Sequence, residues 1–75
     1  MSMPYQATQT YQQAIAARDV AAGALYRAEL AVHDAHQTHV DEWIRAAHDR
    51  LHIAVVRYED AAAVVSALQH QPRAA

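Results

Sequence analysis

Between Val40 and Leu68 the chain places Val40, Ile44, Ala47, Leu51, Ala54, Tyr58, Ala61, Val65 and Leu68 at alternating spacings of four and three. Each of these residues is apolar, alanine or tyrosine. Side chains at that spacing line up along one face of an α-helix. A single helix cannot bury its own stripe, so the segment requires a helical mate. What the chain can fold into depends on where that mate comes from.

The rest of the sequence supplies one. Ala7, Ala14, Ala21, Ala28 and Ala35 recur every seven residues. Tyr11, Leu25 and Val32 sit one turn beyond three of them, and Arg18 interrupts that second row. Alanine on a seam lets two backbones approach closely, while larger neighbours fill the edges. The alanine stripe therefore suits the bulkier seam of the second segment. The chain has 1 Gly and 2 Pro, and Pro4 and Pro72 lie near its ends. A sheet protein needs turn residues at intervals, and these are missing. With 75 residues the chain forms one domain at most, with a thin core.

The expected fold is all-α: a coiled-coil-like antiparallel hairpin spanning 1–75. Helix 1 is expected over about 5–36, the turn at about 37–38 and helix 2 over about 39–70, with a frayed C-terminus at 71–75. Ser2 before Pro4 offers an early cap, and Thr10 with Gln13 offers a capping box. Thr38 is expected to cap helix 2, with Asp41 and Glu42 in the first turn, where carboxylates suit the positive helix end. Gln71 before Pro72 ends the helix. Gly23 lies inside helix 1 at a cost of roughly 1 kcal/mol against alanine. Close helix packing at that point is the expected reason.

Helix 2 has more apolar surface than one mate can cover. Ile53 and Val56 lie off the seam, near Ala46, Ala63 and Ala67. Leaving either large side chain exposed forgoes about 1.5–3 kcal/mol. Hairpins are therefore expected to associate through Trp43, Ile53, Val56, Ala63 and Ala67, most simply as a two-fold homodimer forming a four-helix bundle. A helix from another protein could fill the same place. Trp43 is expected to close the end of the bundle over Val32 or Val40. Tyr5, Tyr11, Tyr26 and Tyr58 frame it.

Six histidines are the second unusual feature. Glu29, His33 and His36 share one face of helix 1, and His48 and His52 one face of helix 2, at spacings that can surround a transition metal such as zinc. Hairpin geometry with a turn at 37–38 puts His48 opposite Arg27–Ala28, about two turns from His33. Glu-x-x-His is absent, and His48-Asp49-Arg50-Leu51-His52 lacks the glutamate of the zinc-protease motif. Solvated surface histidines with no cofactor are expected, with metal binding as the alternative. Charging all 6 His would carry the formal net charge from −2 to +4, so mild acid is expected to weaken an assembly.

Several function classes have no support. There is no Cys. Ser2 and Ser66 are the only serines, and the sequence offers neither an evident pairing of base and orienting group. There is no Gly-rich phosphate loop and no basic run for a nucleic-acid backbone. No stretch is long and apolar enough to span a membrane, and the first residues lack the basic region and apolar core of a signal peptide, so none is expected. A non-catalytic, cytoplasmic helical interaction module is the expectation. All its basic residues are Arg, which fits a GC-rich coding genome such as that of an actinobacterium or its phage.

In outline the chain is similar to two groups of helical hairpins. One is the small plasmid regulator that pairs into an RNA-binding four-helix bundle, a likeness of length and topology. Here the net charge is negative and basic residues are sparse, so no nucleic acid is expected. The other is the WXG100 family of leaderless secreted hairpins, which implies a heterodimer. Trp43-Ile44-Arg45 stands where that family has Trp-x-Gly, and Tyr26 and Tyr58 lack the family's Tyr-x-x-x-Asp/Glu signal.

Overall fold

The computed structural model describes residues 10–70. They form two helices packed against each other, α1 (Tyr11–Thr38) and α2 (Asp41–Gln69). At 1.5 Å per residue each is about 42 Å long. Ser2, Ala7, the start of helix 1 at residue 5 and the tail at 71–75 lie outside the described residues.

The seam forms as its spacing requires. Val40, Ile44, Leu51, Tyr58, Ala61 and Leu68 are half-buried, and Ala47, Ala54 and Val65 are buried. On α1, Ala14 and Ala35 are buried, while Ala21, Ala28, Leu25 and Val32 are half-buried. Arg18, in the same row, is half-buried, with its guanidinium 3.7 Å from Asp19. The buried core is Ala14, Ala35, Ala47, Ala54 and Val65, with nothing larger than valine.

Thr10 opens α1. Its hydroxyl accepts from the Gln13 N–H, and the Gln13 carboxamide oxygen accepts from the Thr10 N–H, both at 3.0 Å. This is the expected capping box. At the same end of the hairpin, away from the turn, the Gln69 amide donates to the Tyr11 hydroxyl at 3.0 Å.

The turn falls at His39–Val40, two residues later than expected, and Thr38 has a different role. Its hydroxyl donates to the Ala35 carbonyl at 2.6 Å and accepts from the Val40 N–H at 3.1 Å. Thr38 thus finishes α1 instead of capping α2. His39 then takes the left-handed conformation (φ 59°, ψ 22°). Glycine usually holds that place after a helix. Val40 begins α2 without a side-chain cap; its carbonyl accepts from the Trp43 and Ile44 N–H groups at 3.0 Å. Asp41 and Glu42 sit in the first turn as expected.

Gly23 does not mediate helix packing. A methyl group built there would meet only the tip of Arg27, at 3.4 Å, on its own helix.

Candidate functional site

Two flanks run along the hairpin on either side of the seam. One carries a groove of about 620 Å³. Its α1 wall is Ala17, Val20, Ala21, Ala24, Ala28 and Ala31, with Arg27. Its α2 wall is Ile53 and Ala54 between Arg50 and Arg57. The groove has a simple local cause. Ala17, Ala24 and Ala31 are seven residues apart, so they stay beside the seam along the length of α1. Methyl groups there leave open the space that longer side chains would fill.

On α2, Trp43, Arg50, Arg57 and Val64 are likewise seven apart and share the flank. Large apolar side chains gather here unshielded: Val20 is 71 % exposed, Trp43 59 % and Ile53 49 %. In the single hairpin Trp43 thus stands exposed and does not close the end over Val32 or Val40. It lies in the row beside the seam, toward the turn from the groove lining. Ala46 is half-buried, and Asp60 and Ala67 are exposed; all three stand at seven-residue steps from Ile53, with Asp60 outside the groove lining. Val56 and Ala63 are also exposed but lie one ridge further round, away from the groove lining. Tyr26 and Leu30 are exposed outside it as well.

The groove's electrostatics oppose those of the chain. Net charge is −2, yet the lining holds three arginines and no carboxylate. The only ion pair among the described residues is Arg18 with Asp19, so Arg27, Arg50 and Arg57 are unpaired there. An apolar floor with a cationic rim suits an amphipathic anion.

No family model matches the chain, nor does any curated protein or solved structure.

The opposite flank carries the histidines. His36 and His48 meet across the two helices, Nε2 to Nε2 at 3.1 Å, with rings edge to face and centroids 5.3 Å apart. This corrects the expectation that His48 faces Arg27–Ala28. The later turn shifts the register, and helical side chains lean toward their own N-termini. On antiparallel helices the His36 and His48 side chains therefore lean toward each other. For this contact to be a hydrogen bond, one Nε2 must carry a proton and the other must not. Glu29, His33 and His52 are exposed. No three His, Asp or Glu among the described residues are placed to hold one metal ion. His39 is in the turn, and the His70 ring lies 2.8 Å from the Ser66 carbonyl at the end of α2.

The sequence singles out Ile53, Trp43 and, as part of the alanine stripe, Ala21 and Ala28, but neither the arginines as a rim nor Ala17, Ala24 and Ala31 as a wall. A signal was present in the repeats of Ala17, Ala24 and Ala31 and of Arg50 and Arg57. Each reads as ordinary helix surface until the antiparallel register sets the two rows side by side. No helix among the described residues is long and apolar enough to cross a membrane.

Proposed function

We propose that this chain is a non-catalytic helical interaction module whose working surface is the groove flank. The observation that carries this reading is the collection of Val20, Trp43 and Ile53, all exposed, on one side of a hairpin whose core has no buried side chain larger than valine. Exposed apolar residues gathered on one face mark interaction sites more often than scattered ones do. The natural occupant of a straight flank between two helices is a third helix. A second copy, giving a four-helix bundle, and a helix of another protein are the two forms of that occupant.

The test compares the immobilised full chain with its Ile53→Asp variant. Each is offered free chain and extract of the native host. The wild type retains at least one species that the variant loses, with helicity unchanged by circular dichroism. Equal retention by both would remove the groove flank from the reading.

A metal-binding bundle is the second reading, favoured by the 3.1 Å approach of His36 and His48. Two imidazoles supply half of a tetrahedral zinc shell; water or another hairpin would complete it. Zinc titration of the untagged chain should then raise Tm, and His48→Ala should abolish the rise. No shift at saturating zinc ends this reading.

A further inference from the structure

We infer that the groove takes an acidic amphipathic helix from another protein, one with carboxylates at seven-residue spacing beside an apolar stripe; this rests on the interaction reading above. Arg50 and Arg57 are two helical turns apart, about 10 Å along the axis, and Ile53 sits between them on the same wall. Arg27 enters from α1. A helix laid along the flank puts its apolar stripe against Val20 and Ile53. Glu or Asp side chains seven residues apart on its edge then reach Arg50 and Arg57, and one on its other edge reaches Arg27. Arginine suits this place, because its planar fork meets a carboxylate with two parallel hydrogen bonds.

Charge also decides against a second copy of this chain. Two grooves brought face to face would set arginines against arginines, with no carboxylate in either lining. Like charges placed together across an interface disfavour that pairing. The wall between Ala17 and Ala31 is about 21 Å long, room for roughly four turns of helix.

The probe is a fluorescently labelled helical peptide of about 18 residues with a leucine and alanine stripe. It is made in two versions, with flanking glutamates or with lysines in their place. Anisotropy titration with the full chain should show the glutamate peptide binding at least about tenfold tighter than the lysine peptide. The preference should shrink with added salt. Arg50→Glu with Arg57→Glu should reverse it, and Arg27→Gln with Arg50→Gln and Arg57→Gln should erase it, with helicity intact in both.

Equal or tighter binding of the lysine peptide overturns the inference. So does a preference that survives the double reversal, or no binding of either peptide up to about 1 mM. A chain already dimeric through Ile53, or anionic lipid vesicles that displace the glutamate peptide, also overturns it. If Ile53→Asp abolishes retention in the earlier test while charge reversal changes nothing, the interaction surface stands and only the acidic partner falls. If Ile53→Asp changes nothing, the surface itself falls.

Discussion

His39 holds the one left-handed backbone among the described non-glycine residues. That conformation costs a side-chain-bearing residue roughly 1–2 kcal/mol. A β-branched residue tolerates it worse than histidine does. His39→Val should therefore destabilise the hairpin by more than about 1 kcal/mol, while His39→Gly should not destabilise it. Thermal melts by circular dichroism would decide, and equal Tm values for the two variants would refute the assignment. Gly23 makes the opposite case. Its helical site has room for a methyl group, with a flexible arginine tip as neighbour. Gly23→Ala should stabilise the chain by about 1 kcal/mol, raising Tm by about 4–8 °C. Thr10→Ala removes the capping hydroxyl and should cost about 1 kcal/mol. At this scale the sequence is legible in part. The capping box can be read from Thr10 and Gln13, because cap chemistry is local. The turn cannot be read from Thr38. The same hydroxyl can finish one helix or start the next, and only the backbone around it decides which.

Between the helices, alanine sets the distance. Ala14 lies on the seam and is 1 % exposed. Ala14→Leu should overpack the seam and cost about 1–3 kcal/mol. Ala16→Leu, at an exposed position two residues on, should leave the chemical denaturation midpoint nearly unchanged. Equal midpoints would mean that the helices are not held in this register. The seam itself is fully legible in sequence, because it depends on periodicity within one helix. Val40 through Leu68 are apolar at every required step, and all nine residues are at least half-buried. The meeting of His36 with His48 is not legible in the same way. It depends on the register between helices, which a two-residue error in the turn displaces.

For the molecule as a whole, the two flanks differ in chemistry. One carries the paired histidines, the other three unpaired arginines around an apolar floor. Ile53→Asp places a carboxylate on that floor and should abolish binding of the glutamate peptide without unfolding the chain. Helicity and anisotropy measured on the same sample separate the two effects. The surplus of apolar surface on α2 could be read from Ile53 and Val56 alone. The groove that collects it could not, because its other wall belongs to α1 and consists of residues that mark nothing in isolation. Those alanines have a thermodynamic consequence. Ala17, Ala24 and Ala31 have no rotamers to freeze. A partner docking against them orders no side chain on that part of the wall, so the ordering cost on this side of the contact falls on Arg27, Arg50 and Arg57. Such a wall is also easy to block. Any larger residue at Ala24 would fill the channel while leaving the hairpin seam untouched, so binding at this flank can be lost by mutation without loss of the fold.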